Sequence, residues 1–121
     1  MIGYVTVGTN DFARAAKFFD ELFALLGARR TMDFDTFVVW ARKGGPGVAM
    51  ARPYDKKAAT VGNGTMVALA AKSKEQVREI YDKAIAMGGT DEGKPGPRGD
   101  GFYAGYFRDL DGNKFNAFFM G

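Results

Sequence analysis

The chain has 121 residues, with 17 basic against 14 acidic side chains for a net charge of +3, and it is 46% hydrophobic and 26% charged. That length suits one domain with a substantial core, and the balance is an ordinary globular one. Cysteine and histidine are both absent, which removes disulfides, thiolate chemistry, imidazole acid–base catalysis and imidazole–metal ligation together.

The basic residues are scattered in runs no longer than two. The excess reads as a solvated surface rather than a nucleic-acid footprint. No apolar run approaches the ~20 residues of a membrane span, and the start lacks a signal-peptide pattern. The expectation is a cytoplasmic protein with neither nucleic-acid nor membrane partners.

Tyr4-Val5-Thr6-Val7 alternates and predicts a strand. Asn10 or Asp11 can cap the helix that follows, whose apolar stripe runs through Phe12, Ala15, Ala16, Phe19, Leu22, Phe23 and Leu26 to a terminal Gly27. Arg29–Asp33 is a weaker strand. Thr36–Arg42 is a stronger one, turned by Gly44-Gly45-Pro46-Gly47 into Val48–Arg52. The segment from Pro53 to Asn63 reads as a connection, and Thr65–Ala71 as the next strand. Ser73 with Gln76 fits a capping box before a second stripe of Val77, Ile80, Tyr81 and Ala84, closed by Gly88-Gly89. Gly93–Gly101, rich in glycine and proline, is expected to be an irregular surface loop. Phe102–Phe119 reads as a hairpin reversing through Asp109-Leu110-Asp111-Gly112-Asn113, with Asp109 and Asp111 bonding local backbone.

The order is β-α-β-β-β followed by β-α-(short β)-β-β, and the halves correspond. An offset of 62 takes Val5 to Val67, Phe19 to Tyr81, Asp20 to Asp82 and Gly27 to Gly89; an offset of 66 takes Trp40 to Tyr106 and Arg42 to Arg108. The expectation is an α+β fold of two βαβββ modules. One spans about residues 1–53 and the other about 64–121, within a single domain 1–121. They would form a curved half-barrel sheet with the helices on its convex face and a small-molecule cleft on the concave one.

Taken in order, Tyr4-Val5-Thr6-Val7 with Asp11, Thr65–Ala71, Gly93-Lys94-Pro95-Gly96-Pro97-Arg98 and Asp109–Asn113 resemble the vicinal oxygen chelate superfamily, the glyoxalase, bleomycin-resistance and extradiol-dioxygenase group. The resemblance covers nearly the whole chain. It implies a divalent metal held by two histidines and a glutamate on the first and last strands of the repeats. Those positions correspond to Tyr4, Met50, Met66 and Asn116. Phenol, thioether and amide are poor donors to hard or borderline divalent ions, so no metal and no cofactor is expected; Asp55 and Asp100 are the carboxylates that a loop would have to bring in. The resemblance also implies a homodimer.

The expected ligand site comprises Tyr4, Trp40, Arg42, Met50, Met66, Tyr106 and Asn116. Asn116, in a strand otherwise rich in aromatics, either bonds a ligand or satisfies a neighbour. Tyr4 is a rim aromatic or a weak acid–base candidate. Trp40 and Tyr106 either stack a planar ligand or pack in the core. Arg42, Arg52 and Arg108 either bind an anion or stand exposed at strand ends. The Gly93–Gly101 segment either covers the site as a lid or is an ordinary loop. Two functions follow. One is metal-free binding of a small aromatic or anionic molecule. The other is a glyoxalase-like lyase, isomerase or dioxygenase reaction, metal-free or with an atypical metal site.

Overall fold

The computed structural model describes all residues, Met1–Gly121. The chain divides into two compact units, Met1–Val61 and Gly62–Gly121. Each has the order βαβββ, so the α+β class and the duplicated module are both present.

In the first unit, β1 (Tyr4–Gly8) is followed by α1 (Phe12–Ala24), β2 (Arg29–Phe34), β3 (Phe37–Ala41) and β4 (Gly47–Ala51), and the sheet order is β1-β4-β3-β2. β1 runs parallel to β4, and the other neighbours are antiparallel. Asp11 is the cap of α1, its carboxylate accepting from the Arg14 N–H. Ala15, Ala16, Phe19, Leu22 and Phe23 are all buried. Full burial of a side chain the size of Leu or Phe is worth about 1.5–3 kcal/mol. The helix ends two residues short of Leu26. Gly27, at φ +74°, then lets the Ala28 N–H return to the Phe23 carbonyl at 3.0 Å.

The second unit repeats the plan as β5 (Val67–Ala70), α2 (Lys74–Ala86), β6 (Thr90–Pro97), β7 (Phe102–Arg108) and β8 (Lys114–Met120), with sheet order β5-β8-β7-β6. Ser73 Oγ accepts from the Gln76 N–H at 3.1 Å. The Gln76 side chain accepts from Lys72 N–H, one residue further back than the usual reciprocal partner. In the β7–β8 turn the Asp109 carboxylate accepts from the backbone N–H groups of Asp111 and Asn113 and from Asn113 Nδ2. Its burial nevertheless holds the carboxyl above the usual range.

Two expectations are corrected. The glycine- and proline-rich segment is not a loop up to Gly101. Its first part is β6, an edge strand paired with β7 through register shifts between Asp91 and Gly93 and between Gly93 and Gly96. An edge strand tolerates Pro95 and Pro97, which lack an N–H to give, and the irregularities absorb the glycines. Only the 98–101 turn remains, closed by Arg98 N–H to the Phe102 carbonyl at 2.7 Å. The second correction is the repeat offset of the later strands. Val7 pairs with Met50, and its counterpart Leu69 pairs with Ala117, so Met50 corresponds to Ala117 at an offset of 67. Trp40 therefore corresponds to Phe107, not Tyr106. A slip of one residue moves every strand side chain to the opposite face.

Candidate functional site

Strand alternation and helix contacts define the two faces of each sheet. In the first unit Trp40 packs its ring on Phe19 and Phe23 of α1 and gives its indole N–H to Asp20 Oδ1 at 2.8 Å. Val38, Val48 and Met50 share that helix-packed face by register. The helix-free face carries Tyr4 and Thr6 of β1, Phe37 and Val39 of β3 and, between them, only Gly47, Ala49 and Ala51 of β4. Across that bare strip Tyr4, half exposed, meets Phe37 edge-on with ring centroids 5.7 Å apart.

In the second unit Arg78 of α2 donates to the Tyr103 hydroxyl at 2.9 Å, so Tyr103, Gly105 and Phe107 face the helix. The opposite face carries Ala68, Tyr106 and Asn116 side by side in register, with Ala104, Phe118 and Ala70 in the next row. Phe102 and Phe118 stack at 5.6 Å. Asn116 is only 2% exposed, and its Oδ1 has no donor. A buried carbonyl oxygen in that state costs about 1–3 kcal/mol.

Tyr106, beside Asn116, sits under two cations. Arg98 Cζ lies 5.5 Å and Lys114 Nζ 5.6 Å from its ring centre. Arg98 is held across β6 by a bond from Nη2 to the Lys94 carbonyl at 2.7 Å. A Cβ on Gly93 would come within 3.3 Å of Arg98 Nη2, and one on Gly96 within 3.2 Å of Nη1. These glycines leave the space in which the guanidinium lies. Arg98 and Lys114 were not among the expected site residues. The one signal for Arg98 in the sequence is the pair of glycines shortly before it, and that spacing acquires meaning only once β6 is paired.

Within their own units, the expected site residues fall on different faces. Tyr4 in the first unit, and Tyr106 and Asn116 in the second, stand on helix-free faces. Met66, 40% exposed, lies one residue before β5. Trp40 and Met50 are buried on the helix-packed face, and Arg42 is exposed beyond the end of β3, its Cδ beside Gly27 at the end of α1. These three are corrected as lining residues, because the register directs them to the helix side. Arg108 is occupied by Glu92 at 2.9 Å and by the Gly112 carbonyl. Of the Gly93–Gly101 segment, read as either a lid or an ordinary loop, the part up to Pro97 belongs to the paired strand β6.

The donors at the positions of the implied metal do not fit a divalent ion. They are a phenol, an amide and two thioethers, one of which, Met50, faces α1. Asp55 is engaged by the Lys57 N–H, and no group of three His, Cys, Asp or Glu side chains converges anywhere in the structure.

Two βαβββ units, each with a helix on one sheet face and aromatic side chains on the other, define a class of small duplicated proteins. The chain belongs to the Glyoxalase/Bleomycin resistance protein/Dioxygenase superfamily, whose model matches residues 1–117. It is similar to a glyoxalase/bleomycin resistance protein from Albidiferax ferrireducens T118, with 35% identity over 98% of this chain and 97% of that one and a TM-score of 0.90. The fold is also that of a lactoylglutathione lyase from Agrobacterium tumefaciens, at 18% identity, covering 98% and 92% of the two chains with a TM-score of 0.70. It is shared too by the fosfomycin resistance protein FosX from Mesorhizobium loti, at 17% identity, covering 100% and 92% with a TM-score of 0.72. No curated protein matches the chain.

Proposed function

We propose that this protein binds a small aromatic or anionic molecule, without a metal ion, on the helix-free face of its second unit. The observation that carries the reading is Asn116, buried with an oxygen that no protein group satisfies. A fold tolerates such a vacancy where a ligand fills it. Tyr106 and the Phe102–Phe118 stack supply ring surface, and Arg98 and Lys114 supply positive charge. The same reading expects a cytoplasmic homodimer.

Two measurements test it. Protein washed with chelator and dialysed against Ni, Zn, Fe or Mn should retain less than stoichiometric metal; one tightly held ion per chain would overturn the metal-free reading. Asn116→Leu should leave the unliganded protein as stable as before, or stabilise it by about 1 kcal/mol, because an unpaired polar atom is removed. A loss of about 1–3 kcal/mol would mean that Asn116 is satisfied within the protein, and the site would lose its support.

A further inference from the structure

We propose that the first unit carries a second small-molecule site, a cationic groove between the start of α1 and the segment 52–60, which takes an aromatic carboxylate. The proposal rests on the first unit alone and is independent of Asn116.

The groove has a volume of about 770 Å³ and is lined by Asn10, Phe12, Thr36, Arg52, Tyr54 and Lys56, among others. A smaller hollow of about 380 Å³ shares Thr36, Arg52 and Tyr54 with it and continues to Thr6 and Phe37 on the helix-free face. The larger volume lies within the range of small-molecule sites.

Its outer wall is anchored. Asn10 Nδ2 donates to the Ala59 carbonyl at 3.1 Å, and the Ala59 N–H donates back to Asn10 Oδ1 at 2.7 Å. Gly8 makes this docking possible, since a Cβ there would lie 2.9 Å from Ala59 Cβ. Between the anchors, Lys56 N–H donates to the Pro53 carbonyl at 3.0 Å, and Lys56 is the only non-glycine residue with positive φ, at 65°. A lysine in the left-handed region is uncommon, and strained backbone of this kind persists where surrounding structure holds it, often at ligand sites.

The charge in the groove is positive and free. The Arg52 guanidinium lies 5.3 Å over the Phe12 ring with no carboxylate paired to it, and Lys56 has none either. Asp11, the acidic group lining the groove, accepts from Arg14 N–H and pairs with the Arg14 guanidinium at 3.6 Å, so the helix end adds no attraction of its own. Nearby Asp55 accepts from Lys57 N–H. Tyr54 is 94% exposed, a ring with almost nothing on it. Guanidinium matches a carboxylate through two parallel hydrogen bonds, and the exposed ring offers a surface for a flat apolar body.

The test is an NMR titration of the full-length, ¹⁵N-labelled protein with benzoate, with benzyl alcohol as the ring without charge, and with acetate as the charge without ring. Benzoate should shift the amides of Thr36 and of residues 52 and 54–56 saturably, and more tightly than either control. Arg52→Gln should weaken benzoate at least about tenfold, the scale of a lost charged hydrogen bond. Lys56→Gly should weaken it less while Tm holds or rises, because glycine accepts the backbone angle freely. Benzyl alcohol or acetate matching benzoate would overturn the assigned ligand class. Unchanged affinity in Arg52→Gln, or shifts centred elsewhere, would overturn the site, and neither result would touch the second unit.

Discussion

Asp20 shows how one exposed carboxylate organises buried structure. It receives the Trp40 indole N–H at 2.8 Å and a two-bond contact from Arg30 at 2.8 and 2.9 Å, while Arg30 also reaches Asp33 at 3.0 Å. The hydrogen bond from Arg30, with a further contribution from Trp40, holds the Asp20 carboxyl below its ordinary 3.8 against an opposing effect of burial. A lowered carboxylate pKa stabilises the fold above the unfolded value, and that stability is lost as pH falls through the folded value. Asp20→Asn should therefore destabilise by about 0.5–1 kcal/mol at neutral pH, the scale of a partly exposed ion pair. In urea unfolding the gap to the native protein should close below pH 3.8. A gap independent of pH would assign the loss to packing instead.

At the scale of elements, both units tie helix to outer strand, with different chemistry and from neighbouring rather than equivalent helix positions. Where the first unit uses Asp20 and Arg30, the second joins Tyr81 of α2 to Asp91 of β6 by a 2.7 Å hydrogen bond. Burial, and then that bond, push the Tyr81 hydroxyl up to about 12. The α2–β6 connection tolerates no side chain at Gly89, where a Cβ would stand 2.7 Å from the Ala84 carbonyl oxygen and 2.8 Å from that of Arg108. Both obstacles are backbone. Gly89→Ala should cost about 1–3 kcal/mol in chemical denaturation, as overpacking does; an unaffected midpoint would show that the connection yields. The helices, their caps and the closing hairpin were legible in sequence because each depends on local spacing. The full length of β6 was not: a short strand was expected there, but its glycines and prolines signal a loop unless a neighbouring strand accommodates the irregular register.

For the whole molecule the duplication carries a liability at one edge. β2 is the outer strand of the first sheet, and all of its residues are exposed, including Met32 at 49% and Phe34 at 62%. Exposed edge strands invite pairing, and the proposed homodimer would cover this one through Met32 and Phe34. Sedimentation should then give twice the 13.1 kDa of one chain, and Phe34→Lys should shift the equilibrium toward that single-chain mass. A monomer at micromolar concentration, or a dimer indifferent to Phe34→Lys, would remove β2 as the interface.

Sequence alone determined the order of elements, the duplicated plan, the helix stripes and the lack of every imidazole and thiolate, since these follow from residue type and local period. It also singled out Asn116 and Tyr106. Tertiary structure decided which face each strand residue occupies. Pairing register turned Trp40 and Met50 toward α1 and matched Trp40 with Phe107. It also brought Arg98 across two glycines onto Tyr106 and docked Ala59 against Gly8. Strand side chains alternate with a period of two, so a single-residue uncertainty in alignment reverses the face. Contacts between residues distant in the chain leave no mark in local spacing.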